Sequence, residues 1–273
     1  MNEEPAHPAV IEMRDAQVTA LRDPSHLVLE HVNWSVLPGE FWVVAGPQHA
    51  GKSDLLLHAA GLLTPADGTC RVFGCDTAEF DETHITERLK IGFTFTDGKL
   101  FNQFTIAENI ALPLRYHRNL QDTETARTVE GLLELLELKP YAGSTPGNVA
   151  GVWRQRAALA RALALQPELL LLDNPSAGLT ARHRQWLVTF LERLWRGHEF
   201  FGGRPMTIVL TTDDLHPWRH SQPKFAALHE GRFAVLGAWG GAEFVRNWTV
   251  QELLAEAVVG DDVRSGGGNL MGK

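Results

Sequence analysis

Apolar and polar positions alternate over residues 8 to 45, around Leu27-Val28-Leu29, around Val32, Trp34 and Val36, and around Phe41-Trp42-Val43-Val44. Alternation of this kind turns one face of a segment to a core and the other to solvent, so it predicts strands. Turns are predicted at Arg22-Asp23-Pro24-Ser25 and at Pro38-Gly39-Glu40. The expectation is an N-terminal antiparallel β meander whose last strand ends at Ala45. A helix to about Leu63, a turn over Thr64-Pro65-Ala66-Asp67-Gly68, a short strand around Arg71-Val72-Phe73 and a buried strand at Ile91-Gly92-Phe93-Thr94-Phe95 follow. From Leu100 to Leu165 the period lengthens to that of a helix, with Val129, Leu132, Leu133, Leu135 and Leu136 on one side of the stretch Thr123 to Leu138, and a second amphipathic helix from Arg154. This is an inserted helical subdomain, placed at about residues 97–165.

The strand signal returns at Leu169-Leu170-Leu171-Leu172, a buried parallel strand ending in Asp173. A helix from about Arg182 to Trp195, the strand Thr207-Ile208-Val209-Leu210 and a hairpin from Phe225 to Leu236 complete the pattern, and the end, 260–273, rich in Gly, Asp and Ser, reads as a disordered tail. The fold class is therefore α/β, one domain over residues 1–259.

Between the strand ending at Ala45 and the helix after it stands Gly46-Pro47-Gln48-His49-Ala50-Gly51-Lys52-Ser53, followed by Asp54. Strand, glycine loop, helix is the context in which backbone N–H groups and a helix N-terminus converge on phosphate. Lys52 would neutralise the β- and γ-phosphates and the Ser53 hydroxyl would hold Mg²⁺. The bland alternative is a helix N-cap in an ordinary crossover. Asp173 can hold the same Mg²⁺ through water, or merely cap the helix after it.

Composition narrows the class. The chain has 273 residues, 44% hydrophobic and 21% charged, with no apolar run long enough to span a bilayer and an acidic start unlike a signal peptide, which places the expectation in the cytoplasm. A net charge of −8 without a basic block argues against a nucleic-acid partner. Cys70 and Cys75 read as two buried thiols in a reduced compartment, and the histidines show no metal-ligand spacing.

Taken in order, these landmarks resemble the ATP-binding subunit of ABC transporters over about residues 8 to 240, a P-loop NTPase (RecA-like) core. The helix Arg154-Gln155-Arg156-Ala157-Ala158-Leu159-Ala160-Arg161, leading into Leu169 to Asp173, looks like the one that follows the family's signature motif. Within the family, Gly92 to Phe101 and Phe104 to Arg115 look most like the ATPases of MCE-type lipid transporters. The resemblance implies ATP and Mg²⁺, a transmembrane permease partner, a second ATP-binding subunit, and a place on the inner face of the cell membrane through the permease.

Position by position the resemblance then breaks. The family's catalytic glutamate falls on Asn174, whose amide cannot take a proton from water. The switch histidine falls on Asp213, where a carboxylate repels the γ-phosphate, and the Q-loop glutamine on Thr96, a weaker metal ligand with a shorter reach. The signature loop reads Val149-Ala150-Gly151-Val152-Trp153, without the serine at Ala150 and with a β-branched residue at Val152. The D-loop aspartate falls on Thr180, and no aromatic for adenine is evident near Leu21-Arg22; Trp34 or Trp42 could supply one, or belong to the core. Phe101, Phe104 and Trp153 are either docking aromatics or packing. The expectation is MgATP binding with impaired hydrolysis, Asp213 or Asp214 standing in as base; the alternative is a pseudo-ATPase that holds a transmembrane partner. A soluble relative acting on ribosomes or DNA is opposed by the single domain and the acidic charge.

Overall fold

The structure, a computed structural model, describes residues 8–117 and 122–254. The tail at 260–273 lies outside the described residues. Ten strands form one sheet in the order β5-β4-β1-β2-β10-β9-β3-β8-β7-β6. β1 (Ile11–Ala20) and β2 (Asp23–Val36) are the antiparallel hairpin that alternation predicts, with β4 (Thr69–Val72) and β5 (Cys75–Asp76) added antiparallel outside it. The turn is tighter than expected, because Asp23 to Ser25 already belong to β2.

The meander reading fails at its third strand. β3 (Phe41–Ala45) does not continue the hairpin; it lies between β8 (Thr207–Thr212) and β9 (Lys224–His229) and is parallel to both. All five of its residues are buried, which suits the centre of a parallel sheet covered on both faces. β7 (Leu169–Leu172) and β6 (Ile91–Thr94) extend the parallel set, and β10 (Arg232–Ala238) links β9 back to β2.

Helices cover both faces. α1 (Lys52–Ala59) follows β3 and packs Leu55, Leu56 and Ala59 against the face carrying Trp42, Val44 and the hairpin. α2 (Ile85–Leu89) precedes β6. Between β6 and β7 the chain forms α3 (Ile106–His117), α4 (Asp122–Leu135) and α5 (Gly151–Leu163), whose apolar stripes join the opposite core with α6 (Ala181–Arg196). A short α7 (Ala242–Arg246) follows β10, and among the described residues no helix is long and apolar enough to cross a membrane.

Trp34 and Trp42 are both 3% exposed and meet edge to face at 5.7 Å, so they are core and do not serve adenine. Cys70 is buried, and burial pushes its thiol up to about 12, but Cys75 is only half-buried, which corrects the reading of two buried thiols. Phe101 is 45% exposed against a half-buried Phe104 at 5.9 Å, so the packing alternative fails for Phe101.

Candidate phosphate-binding site

Parallel strands present their carboxyl ends on one edge of the sheet, and here that edge collects the candidate residues from four chain segments. Register sets Val44 beside Thr211, Leu172 beside Leu210, and Thr94 beside Leu172, so the residues after β3, β6, β7 and β8 emerge together. Gly46 N–H donates to Thr212 O at 3.1 Å and Asp173 N–H to Thr94 O at 2.9 Å, which holds the loop and the aspartate to neighbouring strands.

The glycine loop turns where glycine is needed. Gly51 has φ 86°, and a Cβ there would lie 2.3 Å from Val28 Cγ1, so both conformation and space exclude a side chain. His49 also takes a left-handed φ of 64°, and Ala50 N–H closes the turn on Pro47 O at 3.3 Å. Lys52 is 9% exposed and folds back on the loop, with Nζ donating to Gly46 O at 2.7 Å and Pro47 O at 2.6 Å. Burial pushes its pKa below the ordinary lysine range, while the charges of Asp213 and then Asp173 pull it back.

The three candidate metal ligands come together. Ser53 Oγ and Thr96 Oγ1 both donate to Asp173 Oδ2, at 2.7 and 2.8 Å. Thr96 is short, yet it reaches. Two hydroxyls and a carboxylate at one point are the hard oxygen donors that Mg²⁺ takes alongside its waters, so the donor set fits that ion. Sequence reasoning missed Thr211, fully buried, whose Oγ1 donates to Asp173 Oδ1 at 2.9 Å and accepts Asn174 N–H at 3.0 Å. Its only signal was a polar residue ending an apolar strand.

A cleft of about 770 Å³ opens among these groups, with Gln48, His49, Lys52 and Ser53 on one wall and Asp173, Asn174 and Asp213 on the other. Asp54 is elsewhere: its Oδ1 accepts Leu21 N–H at 2.9 Å and ties α1 to the β1–β2 turn. Asn174 has φ 44° and turns its amide to Asp213, Nδ2 to Oδ2 at 3.3 Å. Asp214 is held by Arg184 Nη1 at 2.6 Å and by His216 N–H at 3.0 Å, so it is not available as a base.

Val149, Ala150, Gly151, Val152 and Trp153 lie outside this cleft. Ala150 is the N-cap of α5 and makes no side-chain capping bond, while Val149 O accepts Arg154 Nη1 at 2.7 Å. Trp153 turns inward, its ring 4.7 Å from Tyr141 and 4.8 Å from the Arg156 guanidinium. Arg156, 4% exposed, lies on its other side over Trp186 at 3.5 Å, and Trp186 stacks on Phe190 at 5.1 Å. This aromatic and cationic ladder joins α5 to α6.

Against known families, residues 29–177 match the model described as ABC transporter. The sulfate/thiosulfate import ATP-binding protein CysA of Mycolicibacterium paratuberculosis is 35% identical over 228 residues, 84% of this chain and 59% of the relative. The chain thus spans under two thirds of that relative's length. The aliphatic sulfonates import ATP-binding protein SsuB of Bacillus subtilis is 35% identical over 188 residues, 69% of this chain and 67% of the relative. Among solved structures, the dimeric post-hydrolysis state of the ATP-binding cassette MJ0796, bound to ADP and Pi, superposes with a TM-score of 0.72 at 28% identity, over 81% of this chain and 95% of that one. The two curated relatives are ATP-binding proteins of sulfate/thiosulfate and aliphatic sulfonate import, so the MCE-type lipid resemblance is withdrawn.

Proposed function

The chain belongs to the ABC transporter family, and from that premise we propose that it is the ATP-binding subunit of an importer, holding MgATP at Gly46–Ser53 with impaired hydrolysis. One observation carries the impairment: where a base should stand, Asn174 offers an amide, and that amide is spent on Asp213 at 3.3 Å. Of the other two cleft carboxylates, Asp173 carries three hydroxyls and Asp214 is paired with Arg184. Loss of a general base costs about 10² to 10⁴ in rate.

Lys52 and the loop N–H groups would bind the phosphates, and Ser53, Thr96 and Asp173 would hold Mg²⁺ by their oxygens. Bound Mg²⁺ would neutralise charge on the phosphates. The partners in this reading are a transmembrane permease, which places the chain at the inner face of the membrane, and a second ATP-binding subunit; a dimeric structural relative supports the latter. Import, and a sulfur oxyanion as cargo, rest on the names of the relatives. One ABC-type domain over residues 1–259 with helices inserted at about 97–165 remains our division of the chain.

A second reading, a pseudo-ATPase that only holds its membrane partner, is favoured by the exposed Phe101, with Arg161 6.0 Å from its ring. The deciding experiment measures MgATP binding and phosphate release side by side, with Lys52→Ala as control. Binding that Lys52→Ala abolishes, with release near background, supports the first reading. Release at ordinary rates that depends on Lys52 overturns the impairment, and no binding at all leaves the second reading.

A further inference from the structure

The three carboxylates of the cleft differ in what holds them. Asp173 is saturated by Ser53, Thr96 and Thr211, and Asp214 by Arg184 and the His216 N–H. Asp213 is half-buried and takes a single long hydrogen bond from Asn174. Its charge faces Lys52 across the cleft, and Lys52 is already tied to two carbonyls of its own loop. Among the described residues no arginine is paired with it, since Arg184 of the same cleft is engaged with Asp214.

A nucleotide enters such a cleft with its phosphates on the glycine loop, where N–H groups and Lys52 match the charge of a diphosphate. A third phosphate must extend from the loop toward the opposite wall, and the wall it meets carries Asp213. Resting on the nucleotide-binding reading above, we propose that Asp213 makes this cleft select nucleoside diphosphates over triphosphates, by setting a carboxylate without an ion-pair partner on the wall toward which the third phosphate would extend. At an effective dielectric of about 20, two unit charges within about 10 Å repel by enough to change affinity tenfold. Asn174 contributes by bonding the carboxylate as a donor, which holds it at the cleft without neutralising it.

The test is titration of the purified chain with MgADP and with MgATP, in the wild type, Asp213→Asn and Asp213→His. The expected wild-type preference for MgADP is about tenfold. Asp213→Asn keeps the shape, removes the charge and brings the two affinities together; Asp213→His moves the balance to MgATP. A wild type that prefers MgATP overturns the proposal, as does a ratio that is the same in wild type and Asp213→Asn. If the wild type binds neither nucleotide, the parent reading falls and this one with it; an unchanged ratio sinks only the selection.

Discussion

On the phosphate side of the molecule one buried carboxylate, Asp173, collects three hydroxyls at 2.7 to 2.9 Å, whereas at the start of α5 a buried guanidinium, Arg156, lies between two indole rings at 3.5 and 4.8 Å. Two of the three bonds in the first cluster, those from Ser53 and Thr96, are ones a cation can replace, since both residues are exposed and line a cleft, whereas Thr211 is buried among the strands. The second is held by ring faces on both sides of the guanidinium and by bonds to Glu137 and Leu136, and it opens on no cleft lined by the glycine loop. At Val149–Trp153, where our reading places the signature loop, Trp153 turns inward and Ala150 caps α5 without a side-chain bond.

The largest expected effect comes from reversing the losses on both sides at once. Asn174→Glu with Asp213→His restores a base and a phosphate donor, and Ala150→Ser, Val152→Gly and Trp153→Gln restore the opposing loop. Together they should raise phosphate release by about 10² or more over wild type. The first pair alone should gain little, because each site in a homodimer still meets a converted loop. If the pair alone restored full turnover, the claim that the α5 side is disabled would be broken. Glutamate at position 174 also inherits φ 44°, where a side chain other than Asn or Gly is strained by about 1 kcal/mol, so a small loss of stability should accompany any gain.

Arg156→Ala comes next and separates the two regions by readout. It removes two cation–π contacts and the bonds to Glu137 Oε2 at 2.6 Å and Leu136 O at 3.3 Å. Glu137 is more than half exposed, so no buried charge is orphaned, and the cost should be about 3 kcal/mol. In thermal unfolding that is a fall of about 6 to 12 °C. Nucleotide affinity should hold. Ser53→Ala should do the reverse, with Mg²⁺-dependent nucleotide binding lost and Tm changed by less than about 2 °C. A nucleotide defect in Arg156→Ala would show that the ladder and the cleft are one unit.

What the sequence reveals divides along the same line. The glycine loop, the apolar run into Asp173 and the hairpin at the amino end are local, each read from one stretch by spacing alone. Thr211 is not, since its bond to Asp173 exists only because Leu172 and Leu210 are in register across two strands. Nor is the placement of β3, which alternation assigns to the hairpin and pairing assigns to β8 and β9. Arg156 and Trp186 each read as ordinary members of a helix, and Trp153 as a signature-loop residue that either docks or packs; the ladder appears only when α5 meets α6. Gly131 is another case, because a Cβ there would come within 2.5 Å of Phe200, so the glycine makes room for a ring from the far side of the sequence.

Thr211→Val should cost about 2 kcal/mol, measured by urea unfolding, because a shape-conserving change leaves Asn174 N–H and Asp173 Oδ1 without their buried partner. It tests whether the hydroxyl cluster is as replaceable as the comparison holds. Ser53 and Thr96 can each be exchanged for a ligand; Thr211 faces the strands and cannot. A loss of nucleotide affinity much larger than the loss of stability would move Thr211 from support to contact.

The smallest effect should be that of Trp153→Gln alone. The ring is half-buried, and its contacts, Tyr141 at 4.7 Å, Arg156 at 4.8 Å and His183 at 5.7 Å, are each looser than the 3.5 Å seat of Arg156 on Trp186. With Trp186 still in place, Arg156 keeps its nearer ring and its bonds to Glu137 and Leu136, so the loss should be about 1 kcal/mol. The same change in an Arg156→Ala background should cost less, because the cation it would have lost is already gone. Equal costs in both backgrounds would mean that Trp153 is held by Tyr141 and His183 without Arg156, and the ladder would then end at Arg156, short of the signature loop.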